Sequence, residues 1–138
     1  MSVIVTDSGF GADDWAAPVV PMEEAGPGTT AVAVPSDAEP LALADFVSAQ
    51  PDLMMIRINF PSHADGRGFT LARQLRLAGY EGRLRAEGHV IADQYAMARR
   101  SGFDEVEISD ELAQRQPEDQ WLFRADWKAH DYQSRLRG

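Results

Sequence analysis

The chain has 138 residues, 44% of them apolar, and no cysteine. That is one domain's worth of chain with enough apolar material to bury a core, and it excludes disulfide staples, thiolate nucleophiles, zinc knuckles and cysteine-held iron–sulfur clusters. The formal net charge of −9 argues against nucleic acid as a partner, because affinity for phosphate backbones depends on clustered Lys and Arg.

Residues 2–6 read as a short strand. The start Met1-Ser2-Val3-Ile4-Val5-Thr6-Asp7 turns acidic at once and the apolar runs are short, so neither a signal peptide nor a membrane span is expected, and the expected location is the cytoplasm. Residues 9–29 contain Pro18, Pro21 and Pro27, four glycines, and the acidic pairs Asp13-Asp14 and Glu23-Glu24, which predicts a loop or arm. Residues 1–29 are accordingly an acidic arm with one short strand, residues 30–116 an α/β core, and residues 117–138 an aromatic-containing tail.

In the core, Thr30 to Val34 is a compact strand run closed by Pro35, and Ser36-Asp37 suit a helix start. Leu41, Ala44 and Val47 continue at helical spacing until Gln50-Pro51. Leu53 to Phe60 is the strongest strand signal, with Met54, Ile56, Ile58 and Phe60 on one face and Met55, Arg57 and Asn59 on the other. Arg57 and Asn59 either line a polar pocket or lie on a face covered by the arm or by solvent; the arm or solvent is the expectation. After the loop Ser62-His63-Ala64-Asp65-Gly66-Arg67-Gly68, the stripe Phe69, Ala72 and Leu75 marks a helix that Gly79 terminates. Residues 82–86 are the next strand, Gly88-His89 a turn, Ile91 to Arg100 a helix that Gly102 caps, and Phe103 to Ile108 a further strand. Asp110 begins an acidic helix-prone stretch. In the tail, Trp121, Phe123, Trp127 and Tyr132 are read first as wrapping the chain's own core and second as a homodimer or partner contact.

Strands alternating with helices at this spacing predict an α/β fold of about four parallel strands, laid out as a three-layer sandwich or as an opened barrel segment. In such sheets the functional edge is where strands end and helices begin, which singles out loops 61–68 and 86–90. The charge distribution agrees with that choice. Residues 1–60 hold nine acids against one Arg, whereas residues 65–100 hold seven Arg against four acids, a local field that attracts anions. Arg73, Arg76, Arg99 and Arg100 are expected on solvated helix faces.

Within the loops, Gly66, Gly68 and Gly88 allow tight turns and close approach to a ligand. Arg67 and Arg85 are candidate two-pronged donors for the same anion, at the ends of successive strands. The plainer alternative is that Asp65 caps the helix and pairs with Arg67 or Arg85, fixing the loop. Asp65 and His89 are the candidate acid–base groups, and Asp93 and Gln94 are read as bracing the neighbouring loop. His63 and His89 lack the short spacing of a metal pair, so no metal is expected, and His130 has no candidate partner.

Phe60-Pro61, Asp65-Gly66-Arg67-Gly68-Phe69, Arg83-Leu84-Arg85-Ala86-Glu87-Gly88, Asp93-Gln94 and Gly102-Phe103-Asp104-Glu105, in that order, resemble a bacterial family of unknown function whose members are often labelled oxidoreductases of sulfite reduction. The resemblance implies an accessory role in assimilatory sulfate and sulfite reduction, docking to sulfite reductase or its electron donor, with a small oxyanion held at the strand ends. The alternative it leaves is a small enzyme acting on an anionic sulfur or phosphate compound, either by acid–base chemistry or with a noncovalent flavin. No cofactor is expected from the residues themselves, since no nucleotide fingerprint or haem-attachment motif is present.

Overall fold

The computed structural model describes residues 2–128. In chain order the arm supplies β1 (Ser2–Thr6), β2 (Gly9–Gly11) and β3 (Val20–Pro21), and the core supplies β4 (Ala31–Val34), α1 (Pro40–Ser48), β5 (Met55–Phe60), α2 (Arg67–Leu77), β6 (Arg83–Gly88), α3 (Tyr95–Ser101) and β7 (Glu105–Ser109). Two short helices follow, α4 (Asp110–Arg115) and α5 (Glu118–Leu122). The seven strands form one sheet in the order β2-β1-β7-β6-β5-β4-β3. Strands β3 to β7 pair in parallel, while β1 runs antiparallel to β7 and to β2.

The four predicted core strands are therefore present and parallel, and the arm adds three more. Residues 9–29 are not wholly a loop: their short β-prone pieces find open sheet edges, a tertiary gain that local glycine and proline content does not report.

Strands β4 to β7 lie side by side in chain order. With right-handed crossovers, such an order places every connecting helix on the same face. The buried cluster agrees, joining Val32, Ile56, Ile58, Leu84 and Val106 of the strands to Leu43, Leu71, Leu75 and Ala98 of α1, α2 and α3. The expected α/β fold of parallel strands alternating with helices is present, as an open sheet. The three-layer sandwich is corrected, because it requires strand order to reverse and no reversal occurs among β4 to β7.

Period-two alternation sends the other side chains of these strands to the opposite face: Arg57 and Asn59 from β5, Arg83, Arg85 and Glu87 from β6, Glu105 and Glu107 from β7. This face carries charge and no helix. Residues 12–19 cross it as a strap, with Asp13 on Arg85 at 3.0 Å, Asp14 on Arg83, and the Trp15 ring against Arg83. The strap joins one edge strand, β2, to the other, β3. Six inter-strand gaps of about 4.8 Å make roughly 29 Å, and the nine steps from Gly11 to Val20 reach about 30 Å when extended. The chain available matches the width of the sheet.

Local signals fix the helix ends. Pro40 occupies the first turn of α1, and the Glu39 carboxylate accepts from the Ala42 amide at 2.7 Å, so Glu39 caps this helix and not Ser36 or Asp37. Gly79 and Gly102 follow α2 and α3 with φ of 101° and 117°, the left-handed conformation that ends helices. The expected helix over 91–100 begins as a 3-10 turn, Ala92–Gln94, before α3. Arg76 and Arg99, expected on solvated faces, are instead staples: Arg76 donates to the carbonyls of Gly102, Tyr80 and Gly82, and Arg99 to Asp7 and the Phe103 carbonyl. Guanidinium forks reach past a helix surface to backbone acceptors at its end.

Candidate functional site

The loop after β5 is built around Asp65. Its carboxylate accepts from Arg67 Nε at 2.9 Å, Arg67 Nη2 at 2.8 Å, the Arg67 amide at 3.1 Å and Ser36 Oγ at 2.9 Å. The bond to the amide satisfies one of the free donors at the start of α2, and Ser36 ties the loop to the end of β4. The Arg67 guanidinium beside it holds the Asp65 carboxyl far below the usual carboxylate range, with Ser36 adding to the effect. Asp65 is therefore ionised near neutral pH, with both carboxylate oxygens already taken by Arg67 and Ser36. Arg67 spends two donors on this pair while its side chain stays 60% exposed.

Arg85 lies elsewhere. Its side chain is 1% exposed and buried under the strap on the helix-free face, where it meets Asp13 at 3.0 Å, Glu105 at 2.5 Å and Glu107 at 3.0 Å. Arg67, by contrast, is on α2 beside Ser36. The shared Arg67–Arg85 anion pocket is corrected: Arg85 alternates with Leu84 and Ala86, so it points away from the helices, and three carboxylates already take its donors. Arg57, 3.8 Å from Glu107, belongs to the same network, and Asn59 donates to Glu87 at 2.9 Å in a separate pair on that face.

Two of the three loop glycines serve packing. A side chain at Gly68 would run into the Phe60 ring, and one at Gly88 would place a Cβ 2.6 Å from the Phe60 carbonyl oxygen. Gly66, at the start of α2, has open space around it. Gln94 links the two predicted loops: its Nε2 donates to the His63 carbonyl at 2.7 Å and its Oε1 accepts from the Ile91 amide at 3.1 Å. Asp93 turns outward to Arg124 at 2.8 Å and braces the C-terminal segment, not loop 61–68.

What these braces frame is a cleft of about 540 Å³ at the carboxyl ends of β5 and β6, lined by His63, His89, Ile91, Leu112, Arg115 and Gln116. His63 and His89 come from the two predicted loops. Arg115, at the end of α4, and Gln116 complete the wall, and Gln116 is held by the Ala92 amide at 2.7 Å. Among the described residues, no carboxylate lies within ion-pair distance of His63, His89 or Arg115. Two imidazoles and a guanidinium facing a hollow offer N–H donors to an anion. Arg115 and Gln116 lie beyond the two strand-to-helix loops that the sequence singles out; the same rule applied after β7 leads to α4.

The C-terminal segment mostly wraps its own core. Trp121 is buried edge-on to Tyr95, and Trp127 donates to Asp7 at 3.3 Å, while Phe123 stays 76% exposed. Tyr132 and His130 lie outside the described residues. Among the described residues no group of three or more His, Asp or Glu is placed to hold a metal ion, and no helix is long and apolar enough to cross a membrane.

Acid pH tests the carboxylate pairs. Asp13, Asp14 and Asp65 are lowered by hydrogen bonds from Arg85, Arg83 and Arg67 in turn. At Asp7, burial pushes upward but bonds from Tyr95, Arg99 and Trp127 win, and the net direction is again down. A carboxyl lowered in the folded state stabilises fully above its unfolded value, near pH 4, and loses that contribution as pH falls through the folded value. The urea midpoint is therefore expected to drop below about pH 4, and charge-neutral D65N to show a shallower drop than the parent. A midpoint that rises on acidification contradicts this.

A family model described as "Bacterial protein of unknown function (DUF934)" matches residues 31–137. No curated protein and no solved structure matches the chain.

Proposed function

The chain belongs to the DUF934 family of bacterial proteins of unknown function, and from that premise we propose that it is an accessory protein of assimilatory sulfate and sulfite reduction that holds a small sulfur oxyanion in the cleft between His63, His89 and Arg115. The sulfur chemistry in this reading rests on the family resemblance carried by residues 53–108. The place of binding rests on one observation: uncommitted cationic and N–H-donating side chains meet at the strand ends, where α/β sheets bind ligands. Docking to sulfite reductase or its electron donor is the partner half of the reading.

Arg115 is exposed at the end of a short helix, so its removal spares the core. Arg115→Ala is expected to weaken sulfite binding about 10- to 100-fold, the equivalent of one charge-assisted hydrogen bond pair, with an unchanged thermal midpoint. Titration calorimetry with sulfite, and chloride as the control, reads this directly. Unaltered sulfite affinity in R115A removes the cleft from the proposal. For the partner half, failure to co-purify with the reductase together with normal growth of a deletion strain on sulfate removes the accessory role.

A further inference from the structure

We infer that the ligand of this cleft is an organic zwitterion, a short aliphatic amine bearing a sulfonate or sulfinate group, and not bare sulfite. The inference rests on the oxyanion reading above and deepens it. The cleft does not end at His89 and Arg115. Those two residues and Leu112 also wall a second hollow of about 310 Å³, so the two spaces adjoin across a shared wall. Hollows of this combined size fit organic ligands, whereas a bare four-atom anion fills a small corner of one.

His89 and Arg115 are common to both hollows; the first adds His63 and the second adds Glu87, Glu107 and Glu111, so the acidic groups are confined to one side. Glu107 is neutralised by Arg85 at 3.0 Å. Glu87 accepts from the neutral Asn59 amide at 2.9 Å, and among the described residues neither Glu87 nor Glu111 has a cationic partner within ion-pair distance. Two carboxylates with no ion-pair partner among the described residues thus face the second hollow, across from the shared His89 and Arg115. Leu112 is shared by the two hollows and Ile91 lines the first; both are apolar, which suits methylene groups and gives an inorganic anion nothing to contact. A molecule with an oxyanion at one end, an ammonium at the other and a short carbon chain between them is complementary to all three regions. Sulfite complements one.

The test is a calorimetric series on the intact protein: sulfite, ethanesulfonate, and aminoalkanesulfonates with one, two and three methylenes. The best aminoalkanesulfonate is expected to bind at least about tenfold tighter than ethanesulfonate. In Glu111→Gln, an exposed substitution, and in the pair E87Q/E111Q, that advantage shrinks while ethanesulfonate affinity holds. If sulfite binds but no aminoalkanesulfonate exceeds ethanesulfonate, the zwitterion assignment is overturned and the oxyanion reading stands. If nothing in the series binds, both fall. An amine advantage that survives E87Q/E111Q in full also overturns the assignment, because the second hollow then does not read the ammonium.

Discussion

Arg85→Met lowers the unfolding free energy by about 3–5 kcal/mol, the range found when one partner of a buried ion network is removed. The methionine keeps the aliphatic bulk and loses the fork. Glu105, 6% exposed, keeps Arg83 at 2.7 Å and Glu107, 14% exposed, keeps Arg57 at 3.8 Å, but both lose the buried guanidinium between them. The penalty arises from the excess of buried negative charge this leaves, so R85M/E105Q recovers part of it. Asp13→Ala removes a partner that is 39% exposed and costs about 1 kcal/mol or less. Urea denaturation of the four proteins decides the matter. A loss in R85M no greater than in D13A contradicts the network described above.

Gly88→Ala costs about 3 kcal/mol and also weakens anion binding. Gly88 closes β6 with φ at 113°, a conformation that side chains avoid at a cost of about 1–3 kcal/mol. The added Cβ meets the Phe60 carbonyl oxygen at 2.6 Å, and that oxygen accepts the His89 amide at 2.9 Å. The residue cannot relieve one contact without moving the other, so His89 shifts out of the cleft wall. Gly66→Ala is the control: its φ is −88° and only the Phe69 ring, at 4.0 Å, comes near. Thermal midpoints and sulfite titrations of the two variants should separate cleanly. Equal, small effects in both would show that the strand end tolerates a side chain.

The core face was legible because it is written locally. Ile56, Ile58 and Phe60 alternate within one strand, Phe69, Ala72 and Leu75 repeat within one helix, and Gly79 and Gly102 punctuate helix ends. The opposite face was written just as regularly, with Arg57 and Asn59, Arg83, Arg85 and Glu87, then Glu105 and Glu107 at alternate positions. Its meaning was hidden because each charge finds its partner on another strand, and Asp13 lies 72 residues from Arg85. Without register, a run of alternating charges reads equally as a solvated surface or as a ligand site, which is why Arg85 reads in the sequence as an anion donor. The candidate cleft was half legible: His63 and His89 follow from the strand-to-helix rule, whereas Arg115 depends on where α4 ends.

The strap also orders events in time. A chain synthesised from its N-terminus emits residues 12–19 first, yet their seat on Arg83 and Arg85 requires β6, and the Glu105 and Glu107 carboxylates that frame it require β7. Long-range contacts form late, since loop closure must be met before they contribute. The strap must therefore wait until β6 and β7 have left the ribosome, and β1 with β2 can join the sheet only once β7 is made, whereas β3 needs only its neighbour β4. The residues made first are among the last to find their place.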